Sequence, residues 1–404
     1  MTGFEELAQQ TALYPKESPL AVRQGQHSLL IGLPKEVSLQ ESRIALTPEA
    51  VAILVRHGHE VIVEQGAGTK AKFTDNEYSE AGARIAYSAK EVYEEATLIL
   101  KVEPLVEAEF EFIKAGSTVI SALNLPARDR DYFKRINDKN LTMIGYEFIE
   151  DKAGNMTVIR SMSEIAGSTV MLIAGEYLSN ADNGRGVILG GITGIPPTKV
   201  VMLGAGTVTE YALRTALGMG SDVKVFDKQL YKLQRLKYAV GQHVYTSIID
   251  SDTLTEAIQR ADVVIGAMRA DDGLSPIVVT DDMVSRMKPD SVIIDVSIDQ
   301  GGNFETSRMT THKAPTFRHH DVIHYCVPNI AARVAYTASM ALSNIFLPFL
   351  LETGTTGGIE QMLYANRWFM KGVYAHKGTL TNLYIAQKFN MRFKALDLLL
   401  AARF

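Results

Sequence analysis

The stretch from Lys199 to Asp227, K-V-V-M-L-G-A-G-T-V-T-E-Y-A-L-R-T-A-L-G-M-G-S-D-V-K-V-F-D, restricts what this chain can be more than any other. Val200 to Leu203 is a short apolar run of the kind that forms a buried parallel strand. Gly204-Ala205-Gly206 follows at once, then a helical pattern over Val208 to Leu217 with Gly218 and Gly220 as stop signals. A second strand, Val223 to Phe226, ends in Asp227, about twenty residues past the glycines, as a dinucleotide fingerprint requires. Gly204 suits a tight turn, and Gly206 lets a pyrophosphate approach backbone N–H groups at a helix N-terminus. Asp227 can accept hydrogen bonds from both ribose hydroxyls and would repel a 2′-phosphate, so NAD is expected over NADP. The third fingerprint glycine is replaced by Thr209, which predicts slightly looser packing of helix on strand.

A chain of 404 residues accommodates two or three domains, or two with one of them discontinuous. Its net charge of −5 argues against nucleic acid as a main partner. Cys326 is the only cysteine, which excludes an intrachain disulfide and a cysteine-based metal cluster. No metal is expected, and His319-His320 reads as a solvated surface pair. A reducing, cytoplasmic setting is expected. The N-terminus has no basic segment followed by an apolar core, so no signal peptide is expected. The best membrane candidate, Ala338 to Leu351, is interrupted by Asn344 and Pro348 and is too short to span a bilayer. It reads as a buried helix, and no membrane partner is expected.

Residues 1–27 are polar and irregular and read as an arm. Beyond them, Ser28 to Leu33 is a strand, Thr47-Pro48-Glu49 a helix start, Gly58 its stop and Glu60 to Glu64 the next strand. This βαβ unit has no phosphate-binding glycines. Arg84 to Ala86, Leu98 to Val102, Ser117 to Leu123 and Thr142 to Tyr146 extend a first parallel sheet. Ser161 to Asn180 is a long connecting helix, and Gly184 to Gly194 a glycine-rich loop or a hinge. Val244 to Ile248, Val263 to Gly266, Val292 to Val296 and His324 to Val327 complete a second sheet, and from Asn329 the chain turns strongly helical. The fold class is therefore α/β, with two Rossmann-like doubly wound parallel-sheet domains separated by a cleft. The substrate domain would be discontinuous, 28–157 with 336–404, around a nucleotide-binding domain at 158–335.

Ligands of open parallel sheets bind beyond the carboxyl ends of the strands. The first sheet offers Arg43, Lys101 and Asn124 there; the second offers Asp227, Arg269 and the run Asp295 to Gly302. A guanidinium fork and an ammonium suit a small carboxylate substrate. A carboxylate near the nicotinamide could move the proton that hydride transfer leaves behind.

At these residues the chain resembles alanine dehydrogenase and the related alpha subunit of proton-translocating nicotinamide nucleotide transhydrogenase, from about Leu30 to the C-terminus. The resemblance is carried by E-S-R-I-A-L-T-P (Glu41 to Pro48), G-H-E-V-I-V-E-Q-G-A-G (Gly58 to Gly68) and L-K-V-E-P (Leu100 to Pro104). M-S-E-I-A-G (Met162 to Gly167), the fingerprint, D-V-S-I-D-Q-G-G (Asp295 to Gly302) and H-Y-C-V-P-N (His324 to Asn329) complete it. It implies oxidative deamination of L-alanine to pyruvate and ammonia with NAD, the reverse amination, and a homo-oligomer, commonly a hexamer. By position it implies that Arg43 clamps the substrate carboxylate, Lys101 binds the carboxylate or carbonyl oxygen, Asp299 is the catalytic acid/base, and Met162 lines the substrate pocket. The cofactor contacts it implies are Ser163, Gly204, Ala205, Gly206, Thr207, Val208, Asp227, Met268, Ile298, Asp299 and Asn329.

The chain departs from the family in its site. Asn124 stands where the family's dehydrogenases carry a catalytic histidine, and an amide can donate to a carbonyl oxygen but cannot titrate. Met268 to Gly273 replaces an apolar, proline-containing loop near the nicotinamide. Arg333 in N-I-A-A-R-V-A (Asn329 to Ala335) is nearer the transhydrogenase pattern. These departures keep open a transhydrogenase alpha-like hydride-transfer component, an opine- or saccharopine-type dehydrogenase, and a non-catalytic NAD sensor or scaffold.

Overall fold

The computed structural model describes residues 27–401, apart from 39, 152 and 270–273. The arm expected over 1–27 lies, but for its last residue, outside them. The first sheet begins with β1 (Leu30–Leu33), β2 (Glu60–Glu64), β3 (Arg84–Ala86), β4 (Leu98–Leu100), β5 (Thr118–Ser121) and β6 (Thr142–Gly145). The second holds β7 (Lys199–Leu203), β8 (Asp222–Asp227), β9 (Tyr245–Ile248), β10 (Val263–Gly266), β11 (Val292–Asp295), β12 (Thr316–His319) and β13 (Val322–Tyr325). The chain then returns to the first sheet with β14 (Val373–His376) and β15 (Thr379–Leu380).

Strand order is β15-β14-β6-β5-β4-β1-β2-β3 in the first sheet and β12-β13-β11-β10-β7-β8-β9 in the second. Setting aside β12, β14 and β15, both sheets carry the doubly wound order, with its reversal between β1 and β4 and between β7 and β10. β12 runs antiparallel at one border of the second sheet, β14 pairs antiparallel with β6 and β15 antiparallel with β14; none of the three was expected. β14 and β15 lie in the stretch after Asn329 that reads as strongly helical, beyond its break at Gly354 to Gly358.

Both faces of each sheet are covered, so alternate residues of one strand enter different cores. Val200 and Met202 pack on one face of the second sheet, Val201 and Leu203 on the other. In the first sheet Ile31, Val61 and Val63 share one core, and Ile62, Ile99 and Val119 share the opposite one. This two-sided burial explains why the strands read as continuous apolar runs rather than alternating ones.

Four helices position the candidate site: α1 (Pro48–Arg56), α2 (Thr157–Leu178), α3 (Thr207–Gly218) and α4 (Ala335–Thr356). α4 corrects an expectation. It runs unbroken through Pro348 for 22 residues. The segment Ile330–Thr356 that contains it is long and apolar enough, by length and composition, to cross a membrane. Ala338, Leu342, Phe346 and Leu350 recur every fourth residue as a buried stripe. The last three of these enter the core of the first sheet. Hydroxyls on the same helix hold the loop after β1: Ser339 Oγ accepts from the Ile44 N–H (2.9 Å) and Ser343 Oγ from the Thr47 N–H (3.1 Å). Thus a C-terminal helix fixes the N-terminal loop that carries Arg43.

Candidate active site

The nucleotide-binding side is built at the reversal of the second sheet. Gly204 leaves β7 at φ +98, and a Cβ there would lie 2.6 Å from the Ala267 carbonyl oxygen after β10. Only glycine fits both the turn and that approach. At Gly206 a Cβ would meet nothing within 4 Å, so the space over the first turn of α3 is open. That helix has no side-chain cap, and the first-turn N–H groups at Thr207 and Val208 are the ones a helix leaves without intrahelical partners. Asp227 is buried; its Oδ2 accepts from the Ala205 N–H (2.7 Å) and its Oδ1 from the Gln229 N–H (2.8 Å). A carboxylate has about four acceptor positions, so Asp227 braces the turn and keeps capacity for ribose hydroxyls.

Thr209 is wholly buried, with its hydroxyl unpartnered, so the looser packing expected there is not seen as exposure. The closest approach lies one layer away. Gly167 on α2 packs so tightly on α3 that a Cβ would sit 2.3 Å from the Val208 carbonyl oxygen.

The loops after β10 and β11 are pinned by a residue the sequence reading passed over. Asn303, fully buried, accepts from the Met268 N–H (2.9 Å) and donates to the Met268 (3.1 Å) and Pro276 (3.0 Å) carbonyls. Asp295 in turn accepts from the Asn303 N–H (2.8 Å), the Ser307 hydroxyl (2.6 Å) and the Ser297 N–H (3.2 Å). Asp295 is thereby a bracing carboxylate. Ile298 and Met268 are buried beside it. Asp299 faces solvent on the short helical turn Ile298–Gln300. Its carboxyl is pushed above the usual range by the atoms crowded round it, against the pull of the Arg269 charge. Arg269 is itself exposed and donates to Gln300 (3.2 Å).

The opposite side is built at the reversal of the first sheet. Arg43 is buried, and Glu41 grips it twice, Nε to Oε1 at 2.8 Å and Nη2 to Oε2 at 2.6 Å. Its Nη1 donates to the Met162 sulfur at 3.1 Å. Burial of the guanidinium is outweighed by the Glu41 charge, so Arg43 stays charged. Burial raises the Glu41 carboxyl, but Arg43 and the Asn329 amide together hold it below its usual range. Asn329, left-handed at φ 59 after β13, donates from Nδ2 to Glu41 Oε2 at 2.8 Å. Glu41 therefore ties the two sheets together at the cleft. A second tie joins the His312 N–H to the Gln40 side chain (3.1 Å).

Lys101 is 1% exposed, and its Nζ donates to Glu109 at 2.5 Å with Glu36 at 3.7 Å. A lysine this deep requires such partners. Burial pushes the Glu36 carboxyl up to about 7 although Lys101 pulls it down. Glu103 is raised as well, by burial and by the Glu41 charge, so acid groups in excess of the two cations are held toward neutrality. Tyr146 seals the floor, its hydroxyl donating to the Val102 carbonyl at 2.6 Å.

Asn124 is exposed and left-handed (φ 47). Its N–H donates to Glu147 (3.1 Å), as does that of Leu123 (2.7 Å), while its side-chain amide makes no hydrogen bond among the described residues. Ser163 stands half-buried on α2 next to Met162. The structure thus gathers Arg43, Met162 and Asn329 around Glu41, and sets Lys101 apart with Glu36 and Glu109. Asp299 lies beside Arg269 and forms no ion pair with Arg43 or Lys101. Buried cations at strand ends signal that acid partners exist. Nothing local in the sequence says that Glu41, Glu109 and Glu36 are those partners.

Residues 32–166 match the alanine dehydrogenase/PNT N-terminal domain and residues 170–383 the alanine dehydrogenase/PNT C-terminal domain. The chain belongs to the alanine dehydrogenase/PNT family. It is 37% identical to the alanine dehydrogenase of Mycolicibacterium smegmatis over 365 residues, 90% of this chain and 98% of that protein. It is 37% identical to that of Methanococcus maripaludis over 366 residues, again covering 90% and 98%. Among solved structures, an L-alanine dehydrogenase superposes with a TM-score of 0.84 at 34% identity, covering 90% of this chain and 99% of that one. The transhydrogenase from Sinorhizobium meliloti shares the fold, with a TM-score of 0.74 at 24% identity, covering 88% and 99%. Within this family the glycine turn, α3 and Asp227 of this chain fit a dinucleotide: an open space over uncapped N–H groups, and a carboxylate with acceptor capacity to spare.

Proposed function

We propose that this chain is an NAD-dependent L-alanine dehydrogenase, converting L-alanine to pyruvate and ammonia and catalysing the reverse amination. The observation that carries the reading is the pairing of two crevices at equivalent sheet reversals. One has open space over a helix N-terminus; the other has two buried cations, Arg43 and Lys101, held by carboxylates. NAD, held by Gly204, Ala205, Gly206, Thr207, Val208, Asp227, Met268, Ile298 and Asn329 with Ser163 nearby, supplies the hydride acceptor.

The chain's own residues do the rest. Glu41 takes the Nε and Nη2 edge of Arg43, which leaves N–H donors on Nη1 and Nη2 for a substrate carboxylate. Met162 packs against that guanidinium and lines the pocket. Lys101 donates to the carboxylate or carbonyl oxygen and stabilises charge there. Asp299, with a raised carboxyl, takes a proton from the water that adds at the substrate carbon and returns one to the departing ammonia. Asn124 supplies a neutral donor in place of an imidazole. Closure of the cleft excludes water.

The same reading places the protein in the cytoplasm as a homo-oligomer, a hexamer by family. It divides the chain into a substrate domain, 28–157 with 336–404, and an NAD domain, 158–335. The decisive experiment is NADH oxidation with pyruvate plus ammonium, run beside a panel of amines with pyruvate or 2-oxoglutarate. Turnover with ammonium supports the alanine reading. Turnover only with a larger amine transfers the same site to an opine- or saccharopine-type reaction, which the unpartnered Asn124 amide favours as second choice.

A further inference from the structure

The hairpin between β12 and β13 turns through His320 and Asp321, both left-handed at φ 50 and 58. This turn aims two neighbouring imidazoles at one carboxylate. His319 Nε2 lies 2.7 Å from Asp281 Oδ1, and His320 Nε2 lies 2.9 Å from Asp281 Oδ2. The three potential ligand atoms all lie within 4.8 Å of one another. Among the described residues neither imidazole's Nδ1 has a hydrogen-bond partner and no lysine or arginine pairs with Asp281.

The frame around these groups is fixed from both sides. Arg318 spans the hairpin, donating to Asp290 (2.6 Å) and to the Asp321 carbonyl (3.2 Å), and reaches the Asn183 carbonyl (2.7 Å). The Asp290 N–H closes the turn on the Asp321 carbonyl at 2.9 Å. Asp281 opens the helix Asp281–Ser285, which Thr280 caps, and the Asp281 N–H is held by Glu305 at 2.8 Å.

We propose that Asp281, His319 and His320 form a binding site for a divalent transition-metal ion of the zinc class, with water completing the coordination. Two imidazoles and a carboxylate are the ligand types such ions take, whereas magnesium and calcium prefer oxygen alone. Bond lengths of about 2.0–2.2 Å in a tetrahedron call for donor separations of roughly 3.3 Å. Each histidine–aspartate pair therefore needs to spread by about half an ångström, while the two imidazole nitrogens, within 4.8 Å of each other, settle to the same separation; all three side chains reach solvent. Metal binding requires each Nε2 to be unprotonated; the free Nδ1 atoms can carry the ring proton instead. The site lies at the amino end of β13, whereas Asn329 follows its carboxyl end. The ion would staple the hairpin to the helix Asp281–Ser285 without entering the cleft, and the inference stands apart from the deaminating reading.

The test uses the full chain without a histidine tag, stripped with a chelator, titrated with Zn²⁺ by calorimetry and with Co²⁺ by visible absorption. Expected are one ion per chain, a Tm that rises with zinc, and at least about tenfold weaker binding in His319→Ala and Asp281→Asn, ligand loss exceeding the effect of losing a supporting group. His320→Asn keeps a residue at home in left-handed backbone, so its loss of binding reports the ligand rather than the turn. Alanine turnover in these variants should match the parent chain. Absence of binding at sub-millimolar free zinc, or equal affinity in the parent and all three variants, overturns the proposal.

Discussion

Glu41 is the residue on which the candidate site turns, because it satisfies Arg43 from below and accepts from Asn329 across the cleft. In Glu41→Gln the buried guanidinium loses its counter-charge. A broken buried pair costs about 3–5 kcal/mol, so the unfolding midpoint in urea should fall clearly, and the KM for alanine should rise as Arg43 loses its fixed orientation. Asp299 makes a sharper test of chemistry, since it lies on an exposed turn and forms no ion pair with Arg43 or Lys101. Asp299→Asn should lower kcat by about a hundredfold or more, the range of general acid–base catalysis, while the NADH dissociation constant stays within about twofold. Its raised carboxyl also means that deamination in the parent chain should lose rate, as pH falls, at a point above the ordinary carboxylate range. Asn124 is free at its side chain and held at its N–H by Glu147, and histidine tolerates left-handed backbone nearly as asparagine does. Asn124→His should therefore fold normally and raise alanine turnover, read directly from NADH formation; unchanged turnover would mean that the amide already performs the imidazole's task.

At the scale of elements, the pairing of α2 with α3 carries the nucleotide cradle, and Gly167 permits it. Gly167→Val places new atoms against the Val208 carbonyl, where a single Cβ would already be 2.3 Å away. Overpacking of this kind costs about 1–3 kcal/mol and should push α3 off its seat, so stability and NADH affinity should fall together, by denaturant melt and by fluorescence titration. Most of the parallel strands were legible within a residue or two, because strands buried on both faces read as unbroken apolar runs bounded by glycine and polar caps. β13 shows the largest shift of a whole strand, two residues, expected at His324 to Val327 and found at Val322–Tyr325. β12, β14 and β15 were not legible. They are short strands in antiparallel pairings at the sheet borders, and their existence depends on the neighbour they pair with, which a single stretch of sequence does not reveal. The fingerprint was legible because strand, turn, helix and acid are contiguous. Glu41, Glu109, Asn303 and the seat provided by Gly167 were not, since each acts on a partner distant in the chain or through a contact that only packing creates. Pro348 misled for a related reason: the burial of α4 against the first sheet outweighs the hydrogen bond that a proline removes.

For the whole molecule, the excess of buried acid around Lys101 and Arg43 has a measurable signature. Glu36 keeps its proton up to about pH 7 in the fold but only to its ordinary 4.5 when unfolded, because burial outweighs the pull of Lys101. Between those values the folded state binds more protons, so this group's contribution to stability is present at low pH and is lost as pH rises toward 7. Glu36→Gln should flatten that slope in urea melts collected from pH 4.5 to 7, and an unchanged slope would place the titration elsewhere. The return of β14 to β6 has a different reach. Ile144 and Val373 are sheet neighbours, yet the whole of β7 through β13 is threaded between them. During synthesis the strands of the second sheet leave the ribosome while the first half still waits, its β6 border bare, for β14 to follow. Completion of the amino-terminal half is thus postponed until the second sheet has been made, and the loop that bears Arg43 gains its backing from Ser339 and Ser343 only then.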